Sequence, residues 1–294
     1  MKIGYFADGP WSHIAFQKII LRKNISIQFI CVRFDHQDSV LKSYGEKYGI
    51  PVLFHKNINS KEFLESISKF NCDLYVSMSF NQIFKQDILV HCPLGIINCH
   101  AGKLPFYRGR NILNWALIND EKEFGITVHF VDTGIDTGDI ILQRAYPISE
   151  EDNYETLLNR SYTECGTILD GALGLMLEGK DKRIPQKSID EIGFYCGRRV
   201  EGDELINWNT TSREIFNFIR AVCAPGPKAT CRLESNIIKI NKCIFLEGAK
   251  NYKGIPGQVI GLTESGYLVK TADSFVEILE IESEKKLRIG DRLQ

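Results

Sequence analysis

The sequence predicts an α/β protein: a Rossmann-like, mostly parallel sheet domain followed by a smaller, β-rich, OB-like domain. Three observations carry this. Apolar runs of strand length alternate with amphipathic helical stretches over the first hundred residues, the pattern of a parallel sheet with helices on both faces. A long helical stretch ending at Gly179 closes that region. Beyond about residue 204 the chain breaks into short β-like runs separated by Gly turns, as in a small barrel. The boundaries read from this are 1–185 for the sheet domain, 186–203 for a linker and 204–294 for the second domain.

In order, "MKIGYFA" reads as a buried opening strand, "DGPWS" as a break and "HIAFQKIILRKN" as a helix. "ISIQFICVRF" is a second strand, "SVLKSYGEKYGI" a helix and "PVLFH" a short strand. "KEFLESISKF" is helical, "CDLYVSMSF" a strand, "DILVHC" a short helix and "GIINCH" a strand. "GITVHFV" and "DIILQRAYPI" are two strands joined by "DTGIDTG", a turn-rich connection that permits an antiparallel excursion. "YETLLNRSYTECGTILDGALGLMLEGK" is the long helix. "SREIFNFIRAV" is a helix of the second domain, and "IIKINKCIFL", "GQVIGLT", "GYLVKTA" and "FVEILEIE" are its strands.

A chain of 294 residues suits two domains, and 44% apolar and 25% charged residues are ordinary for a globular protein. The net charge of −1 argues against a general polyanion binder. Nine scattered cysteines include no CxxC pair, so no metal site is expected, and several sit in apolar runs as free thiols. A reducing cytoplasm fits that usage. The first apolar run is too short for a signal peptide, and no run reaches membrane-spanning length.

The chemistry centres on "INCHAGKLPFYRGRNILNW". Side chains alternate along a strand, so Asn98 and His100 share a face and Cys99 points away. Both polar groups lie at the carboxyl end of a parallel strand, where open α/β sheets place ligands. An amide, an imidazole and a carboxylate together suit transfer of an acyl group to an amine, whose tetrahedral adduct needs oxyanion donors. Asn98 and a protonated His100 supply donors. A nearby carboxylate favours the imidazolium and takes or relays the amine proton. The candidate is Asp136 in its Gly-flanked loop, ahead of Asp132 and Asp139. His129 reads as a structural histidine.

"NCHAGKLPFYRGRNILNWAL", "GITVHF" and "DTGIDTGDIIL", in that order, resemble the folate-dependent formyltransferases. Asn98, His100, Pro105 and Asp136 fall on the places of that family's motif. The resemblance implies N10-formyltetrahydrofolate as co-substrate and an amine as acceptor. It also places the pterin against backbone at Phe80, Gln82, Ile83 and Phe84 and at Ile135. "KLPFYRGRNILNWAL", "GFYCGRR" and "RAVCAPGPKA" resemble the nucleotide-sugar branch in particular, which implies a nucleotide-linked amino sugar as acceptor and a homodimer. Residues 204–294 carry 13 basic and 11 acidic residues, a thin excess for gripping a tRNA backbone, so no nucleic-acid partner is expected. Methionyl-tRNA formyltransferase is the alternative. A pyrophosphate needs few cations, and Arg108, Arg110 and the loop holding Trp11 and Ser12 are the candidates for the substrate.

Overall fold

The structure, a computed structural model, describes residues 1–294. The strands β1 (Lys2–Ala7), β2 (Ser26–Cys31), β3 (Val52–Leu53), β4 (Leu74–Met78) and β5 (Ile96–His100) run parallel. A two-residue strand, β6 (Arg108–Gly109), stands outside their sheet. β7 (Glu123–Phe130) then pairs antiparallel with β5, and β8 (Ile140–Pro147) lies beside it. The seven-stranded sheet has the order β3-β2-β1-β4-β5-β7-β8, so the antiparallel excursion expected from "DTGIDTG" is present.

The helices α1 (Gly9–Ile19), α2 (Ser39–Tyr48), α3 (Lys61–Ser68), α4 (Gln86–Leu89), α5 (Ile112–Ile118) and α6 (Tyr154–Leu177) intervene or follow. Their ends follow local chemistry. The Asp38 and Ser60 side chains accept the Leu41 and Phe63 N–H groups and start α2 and α3. Gly49, at φ +65°, takes the left-handed conformation that stops α2. α1 starts at Gly9 rather than His13, because Pro10 sits in the first turn, where its missing N–H costs no helical bond. α5 was not expected at all. Its N-cap residue, Asn111, is left-handed, and its side chain accepts the Arg199 N–H at 2.9 Å instead of capping the helix.

One face of the sheet is packed by an aromatic cluster. Phe6 on β1 sits among Phe29, Phe63, Tyr75, Phe80 and Phe84, all edge-on, with centroids 5.2 to 6.3 Å away. Ile58, Ile67, Ile88 and Ile96 complete it. All nine cysteines are free thiols and eight are buried, as their apolar runs imply.

The chain divides into two compact units, residues 1–109, 124–146 and 159–196 in the first, and 110–123, 147–158 and 197–294 in the second. The first runs past residue 185, because β9 (Tyr195–Cys196) pairs in parallel with β6. In the second unit α7 (Ser212–Val222) begins with a capping box of Thr211 and Glu214. The strands β10 (Ala229–Leu233), β11 (Asn236–Phe245), β12 (Val259–Leu262), β13 (Tyr267–Lys270) and β14 (Phe275–Glu282) form an antiparallel sheet, order β10-β11-β14-β13-β12. The segment 290–294 spans its two edges. Leu293 N–H donates to the Gly257 carbonyl beside β12, and Gln294 exchanges two bonds with Arg232 on β10. This closes the sheet into the expected small barrel. No helix of the chain is long and apolar enough to cross a membrane.

Candidate active site

β5 and β7 set the site. Asn98 pairs with His129, and His100 with Thr127, across the antiparallel ladder. Residues directly opposite project from the same face, so four polar side chains share one side of an otherwise apolar pair of strands. Cys99 points the other way, its Sγ 3.6 Å from the Cys165 carbonyl on α6.

The loop after β5 is pinned from below. Buried Thr127 donates its hydroxyl to the Gly102 carbonyl at 2.7 Å. Gln143 Nε2 reaches both Thr127 Oγ1 and the Leu104 carbonyl at 2.8 Å. His100 Nε2 lies 2.7 Å from the Tyr107 carbonyl and therefore donates to it. That contact fixes the tautomer and leaves Nδ1 turned toward Asp136. Gly102 passes so close that a Cβ there would meet the ring at 2.4 Å.

Asp136 folds back onto this face at φ +53°, a left-handed conformation that Asp tolerates better than most residues. Its Oδ2 accepts the Gly109 N–H at 2.9 Å. Oδ2 stands 3.6 Å from His100 Nδ1, and Oδ1 stands 3.6 Å from His129 Nε2. Asn98 Nδ2 is 3.4 Å from the same His129 nitrogen. Those three spacings are longer than good hydrogen bonds. Burial alone would raise the Asp136 pKa. The charges of His100 and His129 and the Gly109 N–H outweigh it and hold the carboxyl well below the ordinary carboxylate range. Asp132, by contrast, is spent on its own loop, accepting from Gly134 N–H and the Thr137 hydroxyl.

The structure thus brings Asn98, His100 and Asp136 together and adds His129, which is buried with Nδ1 held by the Phe130 carbonyl at 2.8 Å. Reading it as a satisfied structural histidine captured only that half of its contacts. The available signal was two polar residues, Thr127 and His129, alternating inside an apolar strand.

The outlying candidates sit as follows. Phe80 and Phe84 belong to the aromatic cluster, and Gln82 ties down the segment after β3 through Ile58 N–H and the His55 carbonyl. Ile83 and Ile135 are exposed. Trp11 packs edge-on against Tyr162. Two further candidates are buried. Ser12 is buried and donates to the Gly9 carbonyl, and the Gly9 N–H at the start of α1 already holds the Asp38 carboxylate at 3.0 Å. Arg108 is also buried, its guanidinium bonded to Gln186 Oε1 and the Ile192 carbonyl. Arg110 is exposed.

Comparison with known proteins gives the family. The formyl transferase family matches residues 20–172, and its C-terminal domain family matches 200–292. The methionyl-tRNA formyltransferase of Syntrophus aciditrophicus is 34% identical over 256 residues, covering 86% of this chain and 80% of that protein. Among solved structures, WlaRD, a sugar 3N-formyl transferase solved with dTDP and 5-N-formyl-THF, superposes with TM-score 0.71 at 23% identity. That match covers 98% of this chain and 99% of that one. The N-formyltransferase of Helicobacter canadensis, solved with folinic acid and dTDP-3-aminofucose, gives 0.69 at 20% identity over 96% and 99% of the chains. The chain belongs to the formyl transferase family.

Proposed function

We propose that the protein transfers a formyl group from N10-formyltetrahydrofolate to the amine of a nucleotide-linked amino sugar. The convergence of Asn98, His100 and Asp136 carries the reaction. The amine attacks the formyl carbon, the carbonyl oxygen becomes an oxyanion, and the bond to folate N10 breaks as N10 regains a proton. Asn98 Nδ2–H and the Nδ1–H of a protonated His100 donate to the oxyanion. Asp136, whose oxygens face His100 Nδ1 and His129 Nε2, steadies the positive charge that grows on the attacking nitrogen and accepts or relays its proton, toward N10 by way of the imidazole or water. Exposed Ile83 and Ile135 offer apolar contact to a pterin, while Phe80, Gln82 and Phe84 hold the backbone against it.

The acceptor is read from the resemblance of "KLPFYRGRNILNWAL", "GFYCGRR" and "RAVCAPGPKA" to the sugar branch and from the second unit's charge. Glu277, Glu280 and Glu282 line β14, and Lys228 is spent on Glu282. Residues 204–294 keep an excess of only two basic residues, thin for gripping a phosphate backbone. Exposed Arg110 is the cation we assign to the pyrophosphate. A methionyl-tRNA acceptor is the second reading, favoured by the 34% identity to proteins of that name. Incubating the protein with formyl donor and a panel of UDP- and dTDP-amino sugars, beside charged methionyl-tRNA, decides by mass spectrometry. A formyl mass gain on a nucleotide sugar supports the proposal, and a gain on the tRNA alone overturns it. We also assign the protein to the cytoplasm and expect a homodimer, which sedimentation reads.

A further inference from the structure

We infer that Gln186 is a positioning residue for the reaction. It opens a single turn of 3₁₀ helix, Gln186–Ser188, at the start of the segment read from sequence as a linker. Its side chain is 3% exposed. Nε2 donates to the carbonyls of Asp136 and Gly138, both at 2.8 Å. Oε1 accepts Arg108 Nε at 3.0 Å and Arg108 Nη2 at 2.7 Å. Two donors and two lone pairs are all that an amide offers, and all four are used. The opposite amide orientation would set NH₂ against a guanidinium and oxygen against two carbonyls, so the surroundings fix it.

These bonds close a ring. Arg108 holds Gln186, Gln186 holds the Asp136 carbonyl, and the Asp136 carboxylate accepts the N–H of Gly109, the residue after Arg108. Asp136 is thus gripped at both ends, through its main chain and its carboxylate, by the loop that follows His100. That matters because Asp136 is left-handed in an exposed loop, and such backbone persists only where its surroundings over-determine it. Gly138 adds to the need. A Cβ there would meet the Phe130 carbonyl at 1.9 Å, so the loop has one way through. Gln186 touches no reacting atom. It sets the distance between Asp136 and His100.

Gln186→Glu isolates the effect. It keeps the shape and the acceptor for Arg108 but turns an oxygen toward two carbonyls. This inference rests on the role given to Asp136, so Gln186→Glu, Asp136→Asn and the double variant are measured in the full chain. The reaction is N10-formyltetrahydrofolate with whichever acceptor of the panel, dTDP- or UDP-amino sugar or methionyl-tRNA, gains the formyl mass, well below each unfolding midpoint. The expected result is a kcat about 10- to 100-fold lower for Gln186→Glu, with KM for both substrates and the unfolding midpoint little changed. In the Asp136→Asn background the same substitution should cost nothing further. Unchanged kcat in Gln186→Glu, or an equal fractional loss in both backgrounds, overturns the inference. If Gln186→Glu does not fold, Gln186→Met carries the same expectations. Near-normal turnover by Asp136→Asn alone removes the role of Asp136 and Gln186 falls with it. An inactive Asp136→Asn beside a normal Gln186→Glu removes Gln186 only.

Discussion

Gly102→Ala is a sharp test of how His100 is held. Gly102 does not need a positive φ, so alanine suits its backbone. The difficulty is space. The new Cβ would lie 2.4 Å from His100 Nε2, 2.7 Å from its Cδ2 and 2.5 Å from the Tyr107 carbonyl oxygen, where ordinary contact begins at 3.4 Å. These are the two partners of the 2.7 Å bond that fixes the imidazole. Ring and carbonyl cannot both stay, and relief takes about 1 Å of movement, which at a reacting group costs about 10²-fold in rate. That is roughly 2.7 kcal/mol on the barrier. Overpacking should also take about 1–3 kcal/mol from stability. Steady-state formyl transfer and thermal unfolding, measured together, read both. A variant that packs the methyl at little cost in stability and keeps wild-type kcat would refute the reasoning that the ring is fixed from this side.

Other expectations follow from single contacts. Phe6→Ala empties the centre of the aromatic cluster and should cost about 3–5 kcal/mol in denaturant unfolding. Burial pushes the Asp273 carboxyl up, but Ser212, Thr271 and Ser274 donors outweigh it and hold the pKa at about 2. Its contribution to stability is then present above the ordinary value of about 3.9 and lost as pH falls through about 2. Asp273→Asn should flatten that part of the unfolding-versus-pH curve. Burial pushes the Cys196 thiol up to about 11, but it is the one cysteine that is not fully buried. Mass mapping after brief alkylation of the folded protein should find it modified first.

The parts legible in the sequence were those fixed by local pattern. Alternation along "GIINCH" separated Asn98 and His100 from Cys99, and strand–helix periodicity gave the parallel sheet and the β-rich second unit. Asp136 was singled out by the motif, and the structure adds that Asp132 is consumed by its own turn. Hidden were the consequences of pairing between distant segments. His129 faces the site only because β7 meets β5 in one register. Arg108 looked like a cation for substrate, yet it is buried against Gln186, 78 residues away. The same long-range contact turns part of a featureless linker into scaffolding for Asp136, through β6 and β9. α5 and β10 were missed because both are short, a seven-residue helix after a left-handed residue and a five-residue strand between turn residues.

Single-turnover formyl transfer by Asp136→Asn, with acceptor and formyl donor saturating and the unfolding midpoint checked, probes the joint role of residues 98, 100 and 136. The amide keeps the shape and loses the charge that faces His100 and His129. A rate about 10²–10⁴-fold below wild type is the result expected if that carboxylate serves the reacting nitrogen. A folded variant that still transfers formyl at the wild-type rate would contradict it.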